Sequence, residues 1–291
     1  GLLGRIPETE RTRWLARADV AAALGFAWGE ARFWEAAIDC LSTALSAAKG
    51  NCPLRALEQL ANFRARHAAE LWQSRRARGV VETADETRAR NELMERAIAD
   101  LTQLCERAPT AERLDLLGSA HKRRALTAES DPDARLAALA ACADAYLASF
   151  EKGGRQEAYP FTNWASAALL AWRLDSTRAD TWRQGLESDI ARLQAALQTR
   201  YDSEPDFWDG VALADLELVR LLERCITAPA SGARSRRTAS LPRPCAEIAE
   251  RINDGYRRVI TRGASPRERA SVLDNLDCLI ILLGQDLPAL R

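Results

Sequence analysis

Three short stretches concentrate the side chains with the most chemical capacity. In GSAHKRRA at 118–125, Ser119, Lys122 and Arg123 combine a hydroxyl with consecutive cations, a set that would hold a small anion or an acidic peptide. In AYPFTNW at 158–164, Pro160 signals a helix start, and Tyr159 and Asn163 stand beside it, where free backbone N–H groups favour negative charge. In DFWDG at 206–210, Trp208 offers an aromatic face next to the acid Asp209. Each also fits a plainer role. Lys122, Arg123 and Arg124 suit a solvated basic face, Tyr159 and Trp164 a hydrophobic staple, and Trp208 a wedge between helices. Asn163 is a poor helix former with no capping role that far into a helix.

Catalytic constellations are missing from the sequence. GSAHKR lacks the GxxxxGK spacing that cradles phosphates, and it falls within a helical pattern instead of following a strand. Neither GxSxG nor HExxH occurs. Cys142 and His121 could be paired as a peptidase dyad, but nothing supplies an orienting third group, and the apolar neighbours of Cys142 suit a buried thiol. The seven cysteines, Cys40, Cys52, Cys105, Cys142, Cys225, Cys245 and Cys278, are odd in number and widely spaced, as in reduced, cytoplasmic proteins. With no CxxC, and with His67 and His121 far apart, neither a metal site nor a cofactor is expected.

Composition says what must position these groups. Val and Ile together supply 17 of 291 residues while Leu alone supplies 39, so helix is favoured over sheet almost everywhere. Basic and acidic residues balance at 41 each, which argues against general nucleic-acid binding. No uninterrupted apolar run approaches the roughly 20 residues of a membrane-spanning helix, so no membrane partner is expected. The chain starts at Gly1 and ends on an apolar stretch at 282–290, which reads as a piece of a longer polypeptide.

Apolar residues recur at i, i+3, i+4 and i+7 in segments separated by Gly, Pro, Asp or Ser. Expected helices run at 8–28, 31–49, 53–78, 85–107, 111–129, 131–152, 157–174, 176–201, 204–227, 245–261 and 265–283. Short connections between about eleven helices imply an all-α, tetratricopeptide-like α-solenoid, a superhelix of antiparallel helix pairs. Leu114, Leu117, Gly118 and His121 take the large, large, small and aromatic positions of such a repeat, and Ala37 takes a small position in another. The expected organisation is 1–228 as helical repeats, 229–244 as a basic Pro- and Ser-containing linker, and 245–291 as a helix pair continuing the solenoid. The linker carries too little apolar surface to order by itself and is expected to be mobile or to order against a partner.

Taken together, LLGSAHKRRA at 116–125, AYPFTNWASAALLAW at 158–172 and DFWDGVALADLELVRLL at 206–222 resemble the divergent tetratricopeptide-repeat sensor region of bacterial conflict and signalling proteins. That region is in turn similar to the TRAF-binding helical region of apoptosis-signal-regulating kinases. The resemblance covers about 111–222 and aligns Gly118, Ser119, Lys122, Arg123, Tyr159, Pro160 and Asn163 with motif positions. His121 stands where an aromatic is usual, and Phe161 and Thr162 replace a Gly-containing pair.

The resemblance implies a non-catalytic scaffold that senses a signal or partner and controls an attached effector, in a cytoplasmic bacterial defence or stress-signalling protein. Ser119, Lys122, Arg123, Tyr159, Asn163, Trp208 and Asp209 are the expected contacts, on a concave wall suited to a protein partner or a small anionic or nucleotide-derived signal. The alternative is a constitutive peptide-binding adaptor with no switching role.

Overall fold

The computed structural model describes residues 7–47, 53–177, 183–227 and 243–284. Among these residues there are twelve α-helices and no strand. In chain order they are α1 (Glu8–Leu15), α2 (Ala18–Glu30), α3 (Trp34–Ala47), α4 (Leu54–Arg78), α5 (Ala84–Arg107) and α6 (Ala111–Thr127). After these come α7 (Pro132–Lys152), α8 (Ala158–Leu174), α9 (Leu186–Ser203), α10 (Phe207–Thr227), α11 (Arg243–Thr261) and α12 (Pro266–Leu283). The fold class is all-α and tetratricopeptide-like.

Several boundaries follow directly from local chemistry. The Thr83 hydroxyl accepts from the Glu86 N–H at 3.2 Å while Glu86 accepts from the Thr83 N–H at 3.0 Å, a reciprocal cap that starts α5. Ser265 and Glu268 repeat the device at α12, and Asp131 caps α7 ahead of Pro132. Gly79 ends α4 at φ 63°, a left-handed turn that residues with a side chain rarely adopt.

Two expected helices are corrected. The segment at 8–28 divides into α1 and α2 at Arg17, whose backbone is extended (φ −87°, ψ 120°). The α1 sequence, ETERTRWL, has little apolar surface to hold it in line with α2, and Arg17 instead pairs with Asp19 in the first turn of α2 at 2.7 Å. Of the helix expected from 176, residues 178–182 lie outside the described residues, and α9 starts at Leu186 after Gly185, which is in the left-handed region at φ 87°. The 229–244 linker lies outside the described residues apart from the start of α11 at Arg243.

The chain divides into two compact units, Gly1–Thr127 and Ala128–Arg291. In the first, each of α2 to α6 packs on its neighbour in sequence, and α2 also reaches α4 while α4 reaches α6. Contact with the next helix and the next but one is how stacked helix hairpins bury a continuous core. Trp34, Leu41, Leu60 and Phe63 form the core between α2, α3 and α4. Two glycines of α2 make this approach possible, since a Cβ at Gly25 would lie 2.6 Å from Leu41 and one at Gly29 would overlap the Phe63 ring. Met94, Leu101 and a row of alanines fill the space between α4, α5 and α6. Arg113 crosses that space, donating from Nε to Glu58 Oε1 at 2.7 Å and so tying α6 to α4.

In the second unit, α7 packs on α8, and α10 is the hub that meets α8, α9 and α11. Phe150, Phe161 and Trp164 cluster between α7 and α8, with the Phe150 and Phe161 ring centroids 5.2 Å apart. Arg135 of α7 and Arg173 of α8 donate to the Ile281, Leu282 and Leu283 carbonyls, satisfying acceptors left open at the C-terminal end of α12. A polar seam joins α9, α10 and α11, where Glu217 accepts from Arg220 at 2.6 Å and from Arg251 at 2.8 Å. Burial raises the Glu217 carboxyl, but these two guanidinium bonds outweigh it and hold the group below the ordinary carboxylate range.

Candidate functional site

All seven expected contact residues fall on the even-numbered helices α6, α8 and α10. Ser119, Lys122 and Arg123 lie on α6 in the first unit, whereas Tyr159, Asn163, Trp208 and Asp209 lie in the second.

On α6, Thr110 accepts from the Arg113 N–H at 3.2 Å and starts the helix. Buried Gly118 and Ala120 flank half-buried Ser119. The Arg123 Nη1 donates to the Ser119 carbonyl at 3.0 Å and also to the Ser119 hydroxyl, so the two motif residues form one unit along the helix. Arg124, the next cation, is drawn to Glu95 of α5 at 2.9 Å. Lys122 and Arg123 are half-buried.

The start of α8 differs from the expected geometry. The helix begins at Ala158, two residues before Pro160, so Asn163 sits in the second turn and not the first. The residue is 8% exposed, and Nδ2 donates to the Tyr159 carbonyl at 2.9 Å. The Thr162 hydroxyl donates to the same carbonyl at 3.2 Å. Asn163 therefore satisfies local backbone, whereas Tyr159 is 54% exposed, its ring edge-on to Tyr146 with centroids 5.9 Å apart.

At the start of α10, Asp206 accepts from the Trp208 N–H at 2.8 Å and the Asp209 N–H at 3.2 Å, a cap formed ahead of the first turn. Trp208 is 48% exposed and packs edge-on against Phe207, centroids 4.9 Å apart. Asp209 accepts two hydrogen bonds from Arg200 of α9, at 3.0 and 2.6 Å. The Asp209 hydrogen bond is the main cause that holds the Arg200 guanidinium above its ordinary value, and the charges of Glu157 and Asp206 add to it. Arg200 thus pairs with the acid in the first turn of α10.

Sequence reasoning missed Arg200, Glu157 and Asp206. The Asp206 cap had a signal, an acid three residues before Asp209 at the head of an apolar run. Arg200 had none, since the pairing exists only once α9 folds back on α10.

A separate open cavity of about 740 Å³ lies between α9 and α10, lined in part by Arg183, Glu187, Ile190, Arg220, Glu223 and Arg224. Its charges are largely compensated internally, through Arg183 to Glu223 at 2.8 Å and Arg220 to Glu187 at 2.9 Å. Among the described residues, no group of three or more His, Cys, Asp or Glu side chains could hold a metal ion. Cys142 is fully buried, out of reach of a substrate.

Residues 33–170 match the family model Tetratricopeptide Repeats-Sensor. They are a divergent tetratricopeptide-repeat sensor region. No curated protein matches the chain, and no solved structure does. The sensor region runs from just before α3 into α8, starting well ahead of the stretches first noticed at 111–222. It contains Ser119, Lys122, Arg123, Tyr159 and Asn163, while Trp208 and Asp209 lie beyond its end. Sensor repeats of this type generally do no chemistry of their own and mediate protein interactions. No helix among the described residues is long and apolar enough to cross a membrane.

Proposed function

We propose that the chain is the non-catalytic sensing and regulatory scaffold of a cytoplasmic bacterial defence or stress-signalling protein. It binds a signal or a protein partner and passes the bound state to an attached effector domain. The observation that carries this reading is the sensor-family match over 33–170, which includes the whole Ser119, Lys122 and Arg123 run and the start of α8. In the first unit the contact surface is the half-buried Lys122-Arg123 run of α6, suited to an anionic or nucleotide-derived group. In the second unit Tyr159 and Trp208 offer exposed aromatic faces, and Asp209, held by Arg200, keeps the start of α10 in register for them. Asn163 supports this surface by fastening the first turns of α8, one step removed from the ligand.

The test is structure determination of the protein expressed from its complete gene, with and without its native trigger. A trigger-dependent rearrangement within the sensor region, together with a protease-like, nuclease-like or nucleotide-processing neighbour on the same chain, is the expected result. Helices that stay fixed while holding a peptide would replace this reading with that of a constitutive adaptor.

A further inference from the structure

Cys225 lies two residues before the end of α10, and Cys245 lies two residues after the start of α11. The two helices pack along their length, and both thiols belong to the apolar cluster between them, with Cys245 buried and Cys225 half-buried. Cys225 packs against the cluster that holds Cys245, and Cys245 is the neighbouring group that acts on its thiol, so two cysteines distant in sequence are neighbours in the folded chain.

We propose that Cys225 and Cys245 are a redox modification site, closed to a disulfide by a two-electron oxidant of the peroxide class. Half-buried Cys225 meets the oxidant first. Its sulfur takes one oxygen from hydrogen peroxide to give a sulfenic acid, releasing one water. The Cys245 sulfur then attacks the sulfenic sulfur, the S–S bond forms, the S–O bond breaks, and the hydroxyl leaves with the Cys245 proton as a second water. Overall, two thiols lose two protons and two electrons, and one peroxide becomes two waters. The product ties the end of α10 covalently to the start of α11 and closes a loop over the intervening chain, which restricts the unfolded state.

The other half-buried cysteines, Cys40 and Cys105, serve as internal controls, because desolvation is the leading cause that raises their thiols. At Cys225 burial acts first and the neighbouring Cys245 adds to it, pushing the thiol up to about 11. The pair is therefore quiet at neutral pH, and closure should speed up about tenfold per pH unit as the thiolate fraction grows.

The experiment treats the folded chain with hydrogen peroxide at several pH values, alkylates the remaining thiols, digests, and identifies linked peptides by mass spectrometry. The expected result is a Cys225–Cys245 linked peptide whose rate of appearance rises with pH, and a melting temperature about 5 °C higher for the oxidised chain. In Cys225→Ala, melting like the reduced parent, the link and the melting shift should both vanish. Recovery of Cys225 and Cys245 only as singly alkylated or over-oxidised peptides would overturn the proposal. So would a link that forms only in urea, or one made equally to Cys40 or Cys105.

Discussion

Arg200 donates from Nε and Nη2 to the two carboxylate oxygens of Asp209, at 3.0 and 2.6 Å, closing the turn between α9 and α10 beside exposed Trp208. The fork geometry matches a carboxylate, but the Arg200 side chain is 53% exposed, so water and salt screen much of the attraction. Asp209→Ala should therefore cost only about 0.5–1 kcal/mol in urea unfolding, and less at high salt. A loss of several kcal/mol would mean that the pair supports more of the fold than its exposure allows.

Gly29 of α2 makes a sharper prediction. A methyl group there would enter the Phe63 ring, which is buried in the core between α2, α3 and α4. Gly29→Ala should destabilise the chain by about 2 kcal/mol through overpacking, despite the better helix propensity of alanine. Gly79→Ala meets open space and is strained only by its φ of 63°, so its cost should be about 1 kcal/mol. Urea titration of the two variants checks the order, and equal costs would count against the tight contact.

The Tyr256 hydroxyl donates to Asp215 in the seam between α10 and α11. Burial first, and the Asp215 charge second, raise this phenol far above its ordinary 10.0. The folded state therefore keeps a proton that the unfolded chain gives up above about pH 10. This contribution is fully present below that value and is lost as pH rises past it. Stability should fall more steeply above pH 10 in the parent than in Tyr256→Phe. The variant should be less stable at pH 7 by about 1–3 kcal/mol, because Asp215 loses a buried donor. Parallel pH profiles for the two proteins would refute the assignment.

Asn163→Ala separates a supporting role from direct contact. Asn163 is 8% exposed and its amide donates to the Tyr159 carbonyl, which Thr162 also serves. Its removal should lower stability by about 1 kcal/mol and, at temperatures where the variant stays folded, leave signal affinity within about threefold of the parent. A large affinity loss in a variant that melts normally would make Asn163 a ligand contact.

Much of the helical architecture was readable before folding, because periodicity and cap chemistry are local. Ser265-Pro266 and Asp131-Pro132 announced α12 and α7, and both aspartate and serine act as caps in the structure. The break at Arg17 carried no Gly or Pro, and it reflects what α1 cannot bury. Gly185 was visible but isolated within an apolar pattern, and its left-handed backbone directly precedes α9. The candidate surface was read less fully. Residue types marked Lys122, Arg123, Tyr159 and Trp208, but the partners that orient or occupy such groups come from other turns and other helices. Arg123 turning back onto Ser119, and Arg200 reaching Asp209, depend on rotamers and helix packing that a linear pattern does not contain.

The central proposal is that the repeats read a signal through the basic Lys122-Arg123 run of α6 in the first unit, with exposed Tyr159 a separate contact face in the second. Its most direct test is trigger-dependent effector output in the protein expressed from its complete gene, measured alongside melting temperature for Arg123→Ala and Tyr159→Ala. Loss of a charge-assisted contact costs about 1.5–3 kcal/mol, so Arg123→Ala should need at least tenfold more trigger for half-maximal output while melting close to the parent. Tyr159→Ala should shift the response in the same direction. Variants that melt and respond like the parent, or that lose output only in proportion to lost stability, would contradict the account.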